Sequence, residues 1–243
     1  MKIGIIIPDL HYPIHDKKYL KTLFALTKDV NPDYLIYLGD CFDAYGISQF
    51  ARRDGIDMEI GVWQTHKEIL GFKEVIYDPL KAMCKKGTEI YWTGGNHDEQ
   101  RTREAIEQFP DRKQLLDLQT NFPDAKICKY NESIKIGKVF FTHGVYTNDA
   151  HAKKHTIAFE GNVVYGHTHT AQEYIKSTHG NNGTHGGFSM GCGCNNNPEY
   201  MKNRPNSWVQ MIGVIYFHDD GNFNLYKIFI NKGKAIFNNK LYK

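Results

Sequence analysis

Seven side chains suited to metal binding, Asp9, His11, Asp40, Asn96, His143, His167 and His169, fall in five short motifs, each directly after an apolar run. Asp9-Leu10-His11 sets a carboxylate and an imidazole two residues apart, which in extended chain puts both on one side. Asp40 stands in Gly39-Asp40-Cys41-Phe42-Asp43, where the glycine permits a tight turn. Asn96 and His97 occupy Gly94-Gly95-Asn96-His97-Asp98, His143 precedes Gly144, and the last pair lies in Gly166-His167-Thr168-His169. Carboxylate and amide oxygens with imidazole nitrogens form a mixed donor set that suits manganese foremost, and also iron, zinc, nickel or cobalt. Calcium and magnesium prefer all-oxygen shells, and a structural zinc site would use cysteine, which the set lacks. Seven donors exceed the shell of one ion, so two divalent ions are expected.

Taken singly, each motif has a bland explanation. Asp40 reads as a turn residue, Asn96-His97 as an ordinary strand exit, and His167 and His169 as surface residues on a hairpin. Five such signals, each at an expected strand end, favour one common site. The runs at residues 2–8 (KIGIIIP), 34–39 (YLIYLG), 89–95 (EIYWTGG), 138–142 (KVFFT) and 162–166 (NVVYG) are short, rich in Ile, Val, Tyr and Phe, and bounded by Gly or Pro. They read as buried strands. In an open α/β sheet the loops at the carboxyl ends of strands converge on one crevice.

Other segments supply the frame. Residues 16–30 place Tyr19, Leu20, Leu23, Phe24 and Leu26 on one helix face, so the chain opens with a βαβ unit. Residues 62–86 carry helical periodicity interrupted by Gly71 and Pro79, and residues 99–109 and 149–159 read as further helices. Beyond residue 170 the pattern changes to antiparallel strands at 170–177, 210–218 and 223–231, with Asp219-Asp220-Gly221-Asn222 as a hairpin turn. Residues 179–184 and 191–207 read as Gly- and Asn-rich loops. With no linker and no repeat, residues 1–243 are expected to form a single domain.

Composition narrows the class. At 41% hydrophobic and 23% charged residues the chain has the makings of an ordinary core. A net charge of +3 is compatible with a phosphate-bearing partner and far from the footprint of a dedicated nucleic-acid binder. No apolar stretch approaches a membrane span, and the first residues form a strand rather than a signal sequence. Five scattered cysteines, an odd number, point to free thiols in a reducing, cytoplasmic setting. Cys192-Gly193-Cys194 matches neither a zinc knuckle nor a thioredoxin pair and reads as two structural thiols.

The motifs D-x-H, G-D-x-x-D, G-N-H-D, H and G-H-x-H occur here in the order found in the calcineurin-like metallophosphoesterase family, which residues 1–177 resemble. The segments Met190-Gly191-Cys192-Gly193-Cys194 and Arg204-Pro205-Asn206-Ser207-Trp208 further resemble small phage and bacterial members. The resemblance implies an α/β fold, a four-layer α/β/β/α sandwich of two mixed sheets. It implies one metal held by Asp9, His11, Asp40 and His169, and a second by Asp40, Asn96, His143 and His167, with Asp40 bridging. A hydroxide between two such ions is a nucleophile at neutral pH, and the ions neutralise charge on the phosphoryl oxygens. By the same resemblance His97 protonates the leaving group or stabilises the equatorial oxygens. Asp43 would pair with His97 and raise its pKa, because a nearby negative charge favours the imidazolium.

Departures from the family are informative. Ser/Thr protein phosphatases carry arginine directly after the second aspartate, where Ala44 stands, and read G-N-H-E where this chain has Asp98. A protein phosphatase is therefore disfavoured. Arg52, Arg53, Arg101 and Arg103 follow ligand loops and are candidates for phosphate contacts. His151 and His155 are expected on the surface or at a substrate rim, residues 62–86 are read as a cap beside the site, and Tyr12, His15 and Trp208 as candidates to stack on a base. The expected partner is a phosphate ester, a nucleotide or nucleic-acid end, and not a membrane. Two other readings stand beside it: a nuclease cutting internal phosphodiesters, and a weakly active metal-binding scaffold.

Overall fold

In the computed structural model, which describes residues 1–177, 183–198 and 201–243, the apolar runs become strands for the reason their pattern gives: most are buried on both faces. Thirteen strands are present among the described residues. They are β1 (Lys2–Ile7), β2 (Tyr34–Tyr37), β3 (Glu89–Thr93), β4 (Ala125–Cys128), β5 (Ile134–Ile136), β6 (Val139–Thr142), β7 (Asn162–Tyr165), β8 (Glu173–Ser177), β9 (Thr184–Ser189), β10 (Met211–Phe217), β11 (Phe223–Phe229), β12 (Ala235–Phe237) and β13 (Lys240–Tyr242). The first sheet has the order β11-β10-β1-β2-β3-β4 and the second β5-β6-β7-β9-β8, while β12 and β13 form a small ribbon. Both large sheets are mixed. β1 to β4 run parallel with β10 and β11 antiparallel at one edge, and β6, β7 and β9 run parallel between antiparallel β5 and β8.

The helices are α1 (Lys17–Val30), α2 (Gln49–Arg53), α3 (Met58–Phe72), α4 (Asp78–Met83), α5 (Arg101–Gln108), α6 (Lys113–Leu116), α7 (Leu118–Asn121) and α8 (His151–Phe159). Asp16 caps α1 by accepting from Lys18 and Tyr19 backbone N–H groups, which satisfies two donors that the helix cannot. Tyr19, Leu23 and Leu26 of α1, with Val62, Ile69, Phe72 and Leu80 of α3 and α4, pack on one face of the first sheet. Its other face presents Ile6, Ile36, Leu38 and Ile215 to Val139, Phe141 and Val164 of the second sheet. α8 covers the far side of that sheet. The result is the helix, sheet, sheet, helix sandwich expected from the resemblance.

The helical reading of residues 62–86 holds in outline, but α3 begins earlier and a π-helical turn over Lys73–Tyr77 separates it from α4, with Pro79 in the first turn of α4. β9 is absent from the sequence reading, which assigns residues 179–184 and 191–207 to loops and gives no element to the residues between them. Packing explains it: a Cβ on Gly187 would lie 2.5 Å from the Ala152 carbonyl of α8, so only glycine lets the helix close on this strand. Part of the Gly- and Asn-rich stretches, residues 179–182 and 199–200, lies outside the described residues. The surface expectation for His151 and His155 is wrong: both are buried. His151 bonds Tyr165 Oη and Thr170 Oγ1, and His155 stacks on the Tyr165 ring at 3.8 Å while its Nε2 accepts from Val145 N–H.

Trp92 on β3 is the hub of the helix-side core, fully buried with ring centroids 5.0–5.5 Å from Phe122, Phe72 and Tyr37. Trp92→Ala should therefore cost about 3–5 kcal/mol, the range for truncating a buried aromatic. Urea unfolding of the two proteins checks this, and a loss under about 1 kcal/mol would mean that the site collapses without leaving a cavity.

Candidate metal centre

Parallel β1, β2 and β3 end at one edge of the first sheet, and parallel β6 and β7 end at the matching edge of the second. The five loops that follow carry the five motifs. Asp9, His11, Asp40, His167 and His169 all adopt left-handed backbone, with φ between 35° and 69°. Non-glycine residues visit this region at a cost of roughly 1–2 kcal/mol each, so their clustering marks a built site. Hydrogen bonds hold the loops there. His11 N donates to Asp40 O (2.8 Å), Gly193 N to Asp9 O (3.0 Å) and Val209 N to His169 O (2.8 Å).

The carboxylates are clamped by one oxygen each. Asp40 Oδ1 accepts from His97 N–H at 2.8 Å, and Asp9 Oδ1 from His167 N–H at 2.9 Å. Asp40 Oδ2 is thereby directed inward, 3.6 Å from His11 Nε2 and 3.3 Å from His143 Nε2. Gly95 is required beside it, since a Cβ there would stand 2.2 Å from Asp40 Oδ1. Around this oxygen the donors divide into two sets. In one, His11 Nε2 is 3.2 Å from His169 Nε2, which is 3.5 Å from Asp9 Oδ1. In the other, His143 Nε2 is 3.0 Å from both Asn96 Oδ1 and His167 Nδ1. Metal bonds of about 2.0–2.2 Å place neighbouring donors about 3.0–3.5 Å apart, so both sets have the spacing of a coordination shell.

Two further features fit a cation. Asp9 Oδ2 is buried with no hydrogen-bond partner. Imidazole nitrogens also face one another across the gaps, which in metal-free protein only a proton can reconcile. Burial opposes charge on His143, but Asp40 outweighs it and holds its pKa up at about 10. Burial, with charged His143 beside it, pushes His167 down to about 4. The outer ring nitrogens complete the picture: His143 Nδ1 donates to Leu38 O (2.7 Å) and His11 Nδ1 to Asp43 Oδ1 (3.1 Å), partners that fix a ligating ring.

His97 stands at the margin of the first set: its ligand atom lies within 4.8 Å of those of His11 and Asp40, yet its ring is more open to solvent. Its Nε2 is 4.0 Å from Asp40 Oδ2, and its side chain is 25% exposed where the other histidines at Asp40 are 0–7% exposed. Nδ1 donates to Asp43 Oδ1 at 2.8 Å. Burial works against its charge, but Asp40 and Asp43 outweigh burial and raise its pKa. Asp43 thus serves both His97 and His11, a sharing that spacing could not reveal. Arg101 Nη1 donates to Asp43 O at 2.6 Å and lies 3.0 Å from His97 Nδ1. Arg52 and Arg53 are exposed on α2, Arg53 over the Phe50 ring, and Arg103 pairs with Glu99 and Glu107. Tyr12 and His15 stack on each other, and Trp208 packs edge-on against His169 at 4.3 Å.

Two residues of the site escaped sequence reading. Asp98, fully buried, accepts from Trp92 Nε1, Cys41 N and Gly95 N, and so ties the β2 and β3 loops together. Burial first, then the Asp40 charge, raise its pKa to about 6. Glu68 of α3 accepts from Ala44 N at 2.7 Å, and burial, with Asp43 adding, raises it to about 7. Its helical spacing gave no signal. Glu68 and Asp43 line a cleft of about 700 Å³ with Pro13, His15, Tyr45 and Lys202.

No helix among the described residues is long and apolar enough to cross a membrane. No curated protein matches this chain by sequence. Among solved structures it is similar to wild-type Vps29 of Entamoeba histolytica complexed with Zn²⁺, at 12% identity over 96% of either chain and a TM-score of 0.52. It is also similar to Vps29 of Cryptosporidium parvum, at 15% identity over 97% of this chain and 94% of that one, with a TM-score of 0.52. Likeness at such identity carries the fold alone. The sequence itself carries the family: residues 5–202 match the calcineurin-like phosphoesterase model, in keeping with the five motifs and their convergence, and the chain belongs to that family.

Proposed function

We propose that this chain is a divalent-metal-dependent phosphoesterase with two ions, one held by Asp9, His11, Asp40 and His169, the other by Asp40, Asn96, His143 and His167. The observation that supports it most is Asp40 Oδ2, set 3.6 Å and 3.3 Å from histidines of the two donor sets while Oδ1 is tied to His97 N–H. When bound, such ions activate water at neutral pH and offset the phosphoryl charge. Manganese is our first choice, and iron, zinc, nickel and cobalt suit the same donors.

The chain's own residues would do the remaining work. Asp43 fixes the His97 ring through Nδ1 and keeps Nε2, 4.0 Å from Asp40 Oδ2, protonated, where it could donate to a leaving alkoxide or hold an equatorial oxygen. Arg101 is committed to Asp43 O, so its charge acts on the His97 side of the cleft. Arg52 and Arg53 on α2 are left for the more distant parts of a longer substrate. α3, through Glu68, walls the cleft on one side. A walled site favours small phosphate mono- or diesters, nucleotides and nucleic-acid ends over the middle of a duplex, in one domain working in the cytoplasm.

A weakly active metal-binding scaffold is the alternative. Against it, His97 with its Asp43 and Arg101 partners is a costly arrangement of charge for a protein that only binds metal.

Elemental analysis of manganese-loaded protein should give about two ions per chain, a two-metal count. Asp40→Ala should lose both ions, and His11→Ala mainly one. Saturation at one ion or fewer in the intact protein would sink the two-ion proposal.

His97→Asn should keep both ions and lose about 10²–10⁴ in turnover, the scale for an acid–base or charge-stabilising group. A loss that shrinks for p-nitrophenyl esters would identify protonation as its role, while equal losses would identify charge stabilisation. Metal loss in this variant would make His97 a ligand.

Substrate class is tested by one panel of a monoester, a bis-ester, single-stranded DNA and closed circular duplex under the same manganese conditions. Faster hydrolysis of the small esters or single-stranded ends is expected. Efficient duplex nicking abolished by Asp40→Ala would establish the nuclease instead, and no turnover by metal-loaded protein on any of the four would favour the scaffold.

A further inference from the structure

Behind His169, on the side away from Asp9 and His11, lies a donor set that the two-ion centre does not use. Cys192 and Cys194 are held in place by backbone bonds from Cys192 N to Val209 O (2.9 Å) and from Gly193 N to Asp9 O (3.0 Å). Their thiols converge on the outer nitrogen of His169. Cys194 Sγ is 3.8 Å from His169 Nδ1, Cys192 Sγ is 3.7 Å from Asn196 Oδ1, and the two sulfurs and the imidazole lie within 4.8 Å of one another. Both cysteines and His169 are buried, and Asn196 is half-buried, at the solvent side of the group.

We propose that Cys192, Cys194, His169 Nδ1 and Asn196 Oδ1 form a separate site for one thiophilic ion of the zinc class. Bonds of about 2.3 Å to sulfur and about 2.0–2.1 Å to nitrogen or oxygen, at tetrahedral to trigonal angles, separate sulfur from its neighbouring donors by about 3.6–3.8 Å. The two observed separations are 3.8 Å and 3.7 Å. Free cysteine is readily buried as a small hydrophobe, and this accounts for Cys41, which joins no such donor group among the described residues. That habit does not account for two thiols turned toward the same ring nitrogen. A Cys-x-Cys pair has the wrong spacing for a zinc knuckle because its third donor is supplied from the β7 loop rather than from the same segment.

Loading this site replaces three protons, two from the thiols and one from His169 Nδ1, when Nε2 is already committed to an ion. The ring then bridges the sulfur site and the Asp9–His11 set. An ion at Nδ1 withdraws electron density, but the negatively charged imidazolate remains a stronger donor than neutral imidazole, so occupancy behind should alter affinity in front. The sulfur site does not depend on the phosphoesterase reading, and the two are separable by experiment.

The test titrates reduced full-length protein with cobalt(II) and records the near-ultraviolet thiolate-to-cobalt band, which nitrogen and oxygen ligands do not give. The band is expected in the intact protein and in Asp40→Asn, which impairs the two-ion centre, and it should disappear in Cys192→Ser and Cys194→Ser but persist in Cys84→Ser. Circular dichroism verifies the folding of each variant. If a serine variant fails to fold, X-ray absorption at the zinc edge of the intact zinc-loaded protein decides, with sulfur expected in the averaged shell. Absence of the cobalt band in intact protein, its survival in both serine variants, or a zinc shell of nitrogen and oxygen alone would overturn the proposal.

Discussion

Everything at the centre depends on how two carboxylates are divided. Asp9 and Asp40 each give Oδ1 to a backbone N–H from a different loop; this turns Asp40 Oδ2 toward His11 and His143, while Asp9 Oδ1 also faces His169 Nε2 and Asp9 Oδ2 is buried against Gly166. The bond from His167 N–H to Asp9 Oδ1 joins the second sheet to the first, and the bond from His97 N–H to Asp40 Oδ1 joins β3 to β2. A buried carboxylate with an unpaired oxygen is costly unless a cation or proton meets it. Asp9 Oδ2 is in that condition, so the fold carries a local electrostatic demand that a divalent ion would satisfy. On this view the loops are organised around charge, and the strands serve to deliver them.

The left-handed backbone of five ligand residues follows from the same demand. A strand that simply continued would carry alternate side chains to opposite faces. Turning sharply at its last residue brings a carboxylate or imidazole back over the strand end, at a cost of about 1–2 kcal/mol per residue. The core supplies the compensation. Trp92, packed among four aromatic rings, donates Nε1–H to Asp98, and Asp98 in turn holds Cys41 N and Gly95 N on either side of Asp40. Core packing and the geometry of the centre are therefore one connected network in this half of the molecule.

Much of this is legible in the sequence, because the strands that matter are buried on both faces and read as continuous apolar runs ending on polar residues. β1, β2, β3, β6 and β7 are recovered with their loops, as are α1 and the β10–β11 hairpin. What was not legible depends on contacts between distant segments. β9 hides behind a Gly-Gly pair whose reason is the overlying α8. Asp98 looks like a variant letter in a motif until its three donors are seen, and Glu68 sits in an unremarkable helix until Ala44 N is found against it. His151 and His155, an i, i+4 pair left over once the seven donors are assigned, read as surface or rim residues, whereas the Tyr165 ring packs against both.

The charge around the cleft bears on what can enter it. Asp43 and Glu68 bring carboxyl groups to the wall beside His97, while the nearest arginine, Arg101, is occupied by the Asp43 carbonyl. Lys202 is the cation lining the same cleft. A polyanion laid along such a wall would meet repulsion over several phosphates with few cations to offset it, whereas duplex binding draws its affinity from many Lys and Arg contacts. On the proposed function, a small phosphate ester with an uncharged or hydrogen-bonding group against Asp43 and Glu68 would meet none of that penalty. Glu68, with its pKa raised to about 7 by burial, can itself donate a hydrogen bond near neutral pH, so the wall carries less negative charge than its formal count suggests.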